Sequence, residues 1–590
     1  MVFSLYDTGI FEQFFRNYIF VGVQVVNKSP IILYFGIEST EEDETARERF
    51  WLDGPSTQPY TDERSIQWMK ESIASCVRHN HSLPSAEFTP ERLVDVRGDT
   101  PKLVERNNVI ASCQSDSQSQ LQTPRFTALS YCWGTPDEAK GQLTTTASSL
   151  TQRLTGIEDH EITPVLRDAI HITKLLSIPY LWIDSLCIRQ DDTTDWEQQC
   201  VDMDKIYGHA EVTIVAASSR SCHEGFLQRK SHQIRVPFHS TRDPSLSDML
   251  RCRLATRGWA VQEKILSTRR IIFGVNNVHF ICPELCQSRG KPPSQEKYDT
   301  TIHEVKAVRN NQELYDKWGD ILKSFSRIDA ESFTHATDLL PSLSGLASLF
   351  AGLLQDEYYA GHWGKDLAVS LAWTMNPTSR DAKSVHLDRI SSPDPFLVPS
   401  WSQLCKPYAV NLREHYSTMS LVSEVEHIDA QVSLCGSNPF GTIKNARLQV
   451  RSHTMTLKSA TGIELVETTR LNFGLTPPAW CRLSIKGTDG GISYCHVWPD
   501  YNMSEKEAHE EALAWKWILL GSFSVTAPET SIATNDGEDR QPFGLLLHRV
   551  NRSEWCRVGL FYPEPYHGRR DFLSLQTFKS ASEIETVTVI

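Results

Sequence analysis

The sequence predicts an α/β protein in which a central, partly parallel sheet flanked by helices is followed by a helical region and a β-rich C-terminal module. The first observation is an alternation of strand-like and helix-like segments between residues 126 and 217. The second is the almost continuous apolar run at 180–188, which is typical of a strand covered on both faces of a parallel sheet. The third is the series of short strand-like runs after residue 396.

The central region is predicted element by element. Residues 127–133, 180–188 and 212–217 have the length and apolar character of strands, whereas 164–176 has apolar residues at helical spacing. The segment 194–207 is predicted to be a helix, with an apolar face formed by Trp196, Cys200, Met203 and Tyr207. This alternation indicates βαβ units, whose ligand crevice lies at the carboxyl ends of the strands.

Five regions follow from these patterns. We expect an N-terminal extension of uncertain structure at 1–63, a lead-in helix and linker at 64–125, the α/β domain at 126–285, a mostly helical region at 286–395 and a β-rich module at 396–590.

Composition excludes several classes of protein. A net charge of −14 argues against a protein that coats nucleic acid or anionic lipid. The apolar runs at 18–26 and 31–37 are shorter than the roughly 20 residues of a membrane-spanning helix. The fourteen cysteines include no CxxC pair and are typical of buried residues in a reducing compartment, so we expect a cytoplasmic protein. Cys76, His79 and His81 lack the second half-site of a tetrahedral zinc centre, so we expect no metal.

The segment 180–193 (YLWIDSLCIRQDDT) carries the strongest functional signal. An ionised Asp184 inside an apolar run is costly unless it is hydrogen-bonded or faces a cleft. Asp184 is therefore a candidate catalytic residue or a buried structural acceptor. Arg257 is its predicted partner, in an ion pair that would close the crevice.

Further acidic, aromatic and hydroxyl side chains are candidates for the same crevice. Asp191 and Asp192, together with flat apolar walls, would suit a cationic or aromatic ligand. The candidate ligand-binding or motif residues are Ser130, Tyr131, Trp133, Gly134, Trp182, Asp191, Asp192, Arg257 and Glu263. Core packing and a tight turn would also explain Ser130, Tyr131 and Gly134, since glycine permits close backbone approach.

Two glutamates each have two interpretations. Glu197 could stabilise an oxocarbenium ion during cleavage of an N-glycosidic bond. Alternatively, Thr194 and Glu197 could form a capping box, and the local pattern favours this interpretation of Glu197 over the catalytic one. Glu263 is the alternative catalytic carboxylate, or an exposed helix position beside Lys264.

Three blocks, 127–134 (TALSYCWG), 180–193 and 257–274 (RGWAVQEKILSTRRIIFG), together resemble the fungal heterokaryon-incompatibility (HET) domain. The resemblance implies non-self recognition and programmed cell death signalling, with protein partners of an incompatibility system or a homo-oligomer. The family has been proposed to share ancestry with TIR domains, some of which cleave nicotinamide from NAD, so NAD is implied as a substrate but no bound cofactor. A death-signalling interaction module, an NAD-consuming enzyme and a family member diverted to another fungal pathway stay open.

Overall fold

The computed structural model of the protein divides it into two compact units, 1–307 and 308–590. His79 and His81 lie outside the described residues. The structure describes residues 2–5, 18–24, 31–36, 60–77, 88–115, 123–228, 252–274, 277–289, 302–326, 333, 335–375, 380, 383–391, 398–405, 409–411, 420–471, 480–488, 490–524, 540–562 and 572–590.

The first unit contains both helices and strands. Its strands are β1 (Val2–Leu5), β2 (Tyr18–Gln24), β3 (Ile31–Gly36), β4 (Arg92–Asp95), β5 (Lys102–Glu105), β6 (Phe126–Ser130), β7 (Tyr180–Trp182), β8 (Val212–Val215), β9 (Arg270–Phe273), β10 (Val278–Cys282) and β11 (Leu285–Ser288). Its helices are α1 (Glu63–Val77), α2 (Arg106–Ser115), α3 (Pro136–Ala139), α4 (Leu150–Thr155), α5 (Pro164–Leu175), α6 (Asp184–Cys187), α7 (Thr193–His209), α8 (Gly258–Leu266) and α9 (Ile302–Ala307), with short 3-10 helices at Asp159–Glu161 and Arg253–Thr256.

One mixed sheet organises this unit, in the order β11-β10-β9-β8-β6-β7-β4-β5. β6 runs parallel to both β7 and β8, and β8 runs parallel to β9, which confirms the predicted partly parallel sheet. From β6 the chain continues to β7, on one side of the β6–β8 pair, whereas from β8 it continues to β9, on the other side of that pair. The topological switch point therefore lies between β6 and β8, where ligands bind beyond the carboxyl ends of the strands in such sheets.

The apolar runs of the central region are buried in the core of the sheet. The side chains of Leu129, Trp182, Ile183 and Ile214 are at most 1% exposed. They come from β6, β7 and β8 or from the residue next to a strand end, so the apolar runs of the sequence do meet in one layer. Burial on both faces explains why these runs lack polar alternation.

The prediction that a single strand spans 180–188 was wrong. β7 ends at Trp182 and the chain turns into α6 at Asp184. The Asp184 carboxylate accepts a hydrogen bond from the Ser185 amide at 2.7 Å. Such local side-chain-to-backbone bonds compete with a strand ladder.

Segments outside the central alternation also join sheets. β4 and β5 form a hairpin, and β4 pairs antiparallel with β7, so strands of the 64–125 interval extend the same sheet. The two apolar runs near the N-terminus pair as the antiparallel strands β2 and β3, and β1 adds to β2.

The second unit is helical at first and then β-rich. Its helices are α10 (Asn311–Ser326), α11 (Ser344–Leu354), α12 (Leu367–Ser370), α13 (Lys383–Ser391), α14 (Glu505–Ala514) and α15 (Leu575–Ser580), with 3-10 helices at Ala336–Asp338, Pro341–Leu343, Gly364–Asp366 and Gln403–Cys405. Its strands are β12 (Tyr358–Tyr359), β13 (His362–Trp363), β14 (Trp373–Met375), β15 (Ala409–Asn411), β16 (Ser420–Ser423), β17 (His427–Leu434), β18 (Ile443–Met455), β19 (Ile463–Leu471), β20 (Trp480–Gly487), β21 (Ile492–Pro499), β22 (Lys516–Ser524), β23 (Arg540–Arg549), β24 (Glu554–Tyr562) and β25 (Glu583–Val589).

Ten strands of the described C-terminal region form one sheet, which confirms the predicted β-rich module. Within it β18, β22, β23, β24 and β25 pair in a closed circuit, and only the contact between β24 and β25 in that circuit is parallel. Trp515, Trp517 and Phe561 are buried in its core. Among the described helices of the whole chain, none has the length and apolar character needed to cross a membrane.

Candidate functional site

Side chains from all three sequence motifs meet at the carboxyl ends of the central parallel strands. β6 ends at Ser130, α6 begins at Asp184 directly after β7, and Arg257 occupies the N-cap position of α8. Hydrogen bonds connect these elements across more than fifty positions of sequence. We call this group the edge cluster, and its members are Ser130, Tyr131, Trp133, Asp184, Arg257 and Glu263.

Glu263 is the most perturbed acid of the edge cluster. It lies on α8 with only 9% of the residue exposed, and it accepts a hydrogen bond from the Ser130 hydroxyl. Burial raises the pKa of Glu263 to about 7, although the Ser130 bond and the charge of Arg257 oppose this. The prediction of an exposed position beside Lys264 was wrong, because this face of α8 packs towards the sheet.

Asp184 has the donor that its position in an apolar run demanded, but the predicted donor was wrong. The Trp133 indole donates to the Asp184 carboxylate at 3.0 Å, and the Ser185 amide donates at 2.7 Å. The Arg257 guanidinium instead donates to the Tyr131 carbonyl at 2.6 Å. Burial raises the pKa of Asp184, and the positive charge of Arg257 lowers it without direct pairing.

Two tyrosines surround these acids. Tyr131 is 3% exposed, and burial together with the Asp184 charge raises the pKa of its hydroxyl well above the usual value. Tyr207, which the sequence placed only on an apolar helix face, donates to the Leu129 carbonyl at 3.1 Å. Its role could be anticipated only from the rule that a buried tyrosine hydroxyl needs a partner.

The turn after β6 depends on Gly134. Its φ of +110° is in the region that favours glycine, and an added Cβ would lie 2.7 Å from the Cβ of Glu138. Thr135 and Glu138 form a capping box at the start of α3. The close approach expected at Gly134 is therefore present, and it fixes the direction in which Trp133 leaves the sheet.

Trp182 does not line an open crevice. It is 0% exposed in β7 and packs edge-to-face on Tyr207, with ring centroids 5.7 Å apart. Unlike Trp182, the side chains of Trp196 and Trp259 are only half-buried. They lie near the N-terminal ends of α7 and α8, and their ring centroids are 6.0 Å apart.

The remaining acids of 180–197 hold the local backbone together. Both Asp191 carboxylate oxygens accept the Ala147 amide at 3.0 Å. Asp192 is the N-cap of α7, and its carboxylate accepts the amides of Thr194 and Asp195. The predicted capping box of Thr194 and Glu197 was therefore wrong, because the N-cap lies two residues before Thr194.

Asp195 and Glu197 complete the description of α7. Asp195, whose side chain is 9% exposed, forms an ion pair with Arg92 and also accepts the Arg189 amide at 2.7 Å. Glu197 is half-buried on the same helix. Asp191, Asp192 and Asp195 are thus structural acceptors, whereas Asp184 and Glu263 belong to the edge cluster.

A comparison with protein-family models finds a match in the part of the chain that contains this site. Residues 126–263 match the family model described as Heterokaryon incompatibility protein (HET). The matched segment begins at the first residue of β6 and ends at Glu263, so it contains every member of the edge cluster. Searches of curated proteins and of solved structures found no match.

Proposed function

We propose that this chain acts in fungal heterokaryon (vegetative) incompatibility, in non-self recognition and programmed cell death signalling, because residues 126–263 match the HET family model. The observation that supports this proposal is the agreement between the family match and the geometry of the site. The matched segment supplies β6, β7 and β8 of the parallel core, and its edge-cluster side chains meet at one sheet edge.

The edge cluster suits a site that receives a ligand or a partner. Asp184 and Arg257 are both half-buried. The Asp184 carboxylate accepts a hydrogen bond from the Trp133 indole, and the Arg257 guanidinium donates one to the Tyr131 carbonyl, so each charged group bonds to a neutral group and not to the other. Their charges therefore stay available to an incoming group. In this proposal the chain works in the cytoplasm, with protein partners of an incompatibility system or with further copies of itself.

Inducible expression in a filamentous fungal host tests the proposal. We expect wild-type protein to kill the host, and Asp184→Asn to reduce killing because it removes the charge while retaining an acceptor for Trp133. Gly319→Ala is the matched control, since an added Cβ there meets nothing within 4 Å. Absence of killing by folded wild-type protein would contradict the proposal, as would full killing by folded Asp184→Asn.

A second function is favoured by Glu263. Cleavage of the N-glycosidic bond of NAD develops positive charge on the ribose, which a carboxylate at the reacting carbon stabilises. Glu263 is a carboxylate whose pKa of about 7 lets it change protonation near neutral pH, and it is hydrogen-bonded to Ser130 at the switch edge. We include NAD hydrolysis as the enzymatic alternative, with Glu197 as the competing carboxylate.

Nicotinamide release from NAD, followed by chromatography with dilute and with concentrated protein, decides between these functions. If Glu263 is the catalytic carboxylate, Glu263→Gln abolishes release and Glu197→Gln retains it. The reverse result would assign the reaction to Glu197. Wild-type protein that kills cells but releases no nicotinamide would leave the interaction module as the function.

A further inference from the structure

The Cys76 sulfur accepts a hydrogen bond from a buried guanidinium. Cys76 lies in the last turn of α1 and is 0% exposed. The Nε of Arg269 donates to its sulfur at 3.1 Å, and Arg269 is itself only 4% exposed. By contrast, burial raises the pKa of Cys132 and Cys187.

The surroundings of Arg269 favour a thiolate at Cys76. Another of its nitrogens donates to the Glu211 carbonyl at 3.4 Å. Across the part of the chain that the structure describes, no carboxylate forms an ion pair with this guanidinium. A buried cation without a counter-charge is costly, and the Cys76 thiolate would supply the missing anion.

Cys282 lies on the other side of the Cys76 sulfur. β9 and β10 pair antiparallel with Ile281 opposite Arg270, so the next residues, Cys282 and Arg269, are neighbours, and Arg269 contacts the Cys76 sulfur. The interaction with Cys282 is the largest cause that lowers the pKa of Cys76 to about 7. Arg269 lowers it further, whereas burial and the charge of Glu284 oppose the shift. Thiolates of this kind are the reactive form of cysteine.

Two cysteines, Cys282 and Cys286, lie close together in the segment CPELC (282–286), and the strand pairing indicates that only Cys282 faces Cys76. Cys286 is directly opposite Ile281 and packs with it in a separate apolar cluster. Because successive side chains of a strand point to opposite faces, Cys282 faces the side on which α1 lies. α1 is also held there at its start, since Tyr60 donates to the Gly274 carbonyl at 2.9 Å and Asp62 pairs with Arg289 at 3.1 Å.

We propose that Cys76 and Cys282 are a redox-active thiol pair that hydrogen peroxide oxidises to a disulfide, joining α1 to β10. The Cys76 thiolate attacks one peroxide oxygen, the O–O bond breaks, and the leaving hydroxide takes up a proton to become water. The resulting Cys76 sulfenic acid is attacked by the Cys282 thiol. The S–O bond breaks, the S–S bond forms, and the oxygen leaves as water with the thiol proton. Two thiols are oxidised and one peroxide is reduced.

Peptide mapping by mass spectrometry tests the pair on the full-length protein. After hydrogen peroxide treatment and alkylation of the remaining thiols, we expect a peptide cross-linked between Cys76 and Cys282 that a dithiol reductant releases. Cys286→Ser is the matched control and retains the cross-link, whereas Cys282→Ser loses it and leaves Cys76 as sulfenic acid, which a dimedone probe labels.

Arg269 provides an independent readout. We expect Arg269→Met to slow alkylation of Cys76 at pH 7 by about tenfold, because the thiolate fraction falls, and Arg269→Lys to restore part of the rate. Wild-type protein that oxidises other cysteines but yields no Cys76–Cys282 cross-link would overturn the proposal. So would a cross-link from Cys76 to Cys286, or equal alkylation rates in folded wild-type and Arg269→Met protein.

Discussion

Each unit contains a group of buried or half-buried charged side chains, and the Arg557 group of the second unit satisfies its charges differently from the edge cluster of the first. In the second unit Arg557 is 0% exposed and forms an ion pair with Asp500 at 3.1 Å. It also donates to the carbonyls of Leu371 and Trp373 and lies 3.2 Å from the centroid of the Trp373 ring. The guanidinium thus has an acceptor or an aromatic face in each direction, which is the arrangement of a structural ion pair.

In the edge cluster of the first unit the charges are close but not directly paired. Asp184 and Glu263 accept hydrogen bonds from neutral donors, while Arg257 donates to a backbone carbonyl. Burial raises the pKa of both acids. The comparison shows that charged side chains are buried both in a direct ion pair and in a cluster without direct pairing. For the function proposed above, the relevant feature of the edge cluster is that its charges do not pair with one another.

The largest expected effect tests the structural pair. Arg557→Met leaves the buried Asp500 carboxylate without its partner and should lower the free energy of unfolding by about 3–5 kcal/mol, measured by urea denaturation. The exposed Arg549 provides the control, since Arg549→Met should change stability by less than about 0.5 kcal/mol. Equal losses in the two variants would remove the distinction drawn for Arg557.

The second prediction concerns the pH dependence of the edge cluster. The pKa of Glu263 rises from its usual 4.5 to about 7 on folding. Between these values the unfolded chain releases the proton and the folded chain retains it, so the Glu263 contribution to stability falls as pH rises and levels off above the folded pKa. The loss should reach about 3 kcal/mol.

Glu263→Gln isolates this contribution, because glutamine does not titrate. The stability of wild-type protein relative to Glu263→Gln should decrease from pH 5 to pH 8, as measured by urea denaturation at each pH. A difference that stays constant over this range would show that Glu263 titrates normally, and the edge cluster would then lose its most distinctive acid.

The third prediction tests the turn that orients Trp133. Gly134→Ala should lower the free energy of unfolding by about 1–3 kcal/mol, because alanine strains the positive φ and its Cβ meets Glu138. Gly319→Ala, in α10 with open space around it, should instead stabilise by about 0.5–1 kcal/mol. Thermal unfolding of both variants measures the contrast, and a neutral Gly134→Ala would mean that the turn relaxes at little cost.

The smallest effect separates the two candidate caps of α7. Asp192→Ala should cost about 1 kcal/mol, because its carboxylate accepts the amides of Thr194 and Asp195. Thr194→Ala should change stability by only a few tenths of a kcal/mol. If Thr194→Ala proves the more costly of the two, Thr194 is the N-cap of a capping box and the helix starts after Thr194, not at Thr193.

The sequence alone determined the parallel core and the segments that supply the site. Its apolar runs predicted β6 and β8, the helical spacing predicted α5 and α7, and Asp184 stood out because a carboxylate in an apolar run needs a donor. These features depend on residues close together in the chain, and local pattern reports them reliably. The need for glycine at 134 was also visible, since close backbone approach requires the absence of a Cβ.

Only the tertiary structure decided which partners these residues have. Each of these contacts depends on how segments far apart in sequence pack. This packing decides that Asp184 bonds to Trp133 and not to Arg257, and that Glu263 faces Ser130 and not solvent. It also brings Cys76 close to Cys282. The choice of Asp192 as cap was undetermined for a related reason, because consecutive residues at 192–194 can all cap a helix and packing fixes which one does. The periodicity of the sequence specifies which face of a helix or strand a side chain occupies. The hydrogen-bond or ion-pair partner of that side chain depends on which other helices and strands pack against this face, and the periodicity does not contain that information.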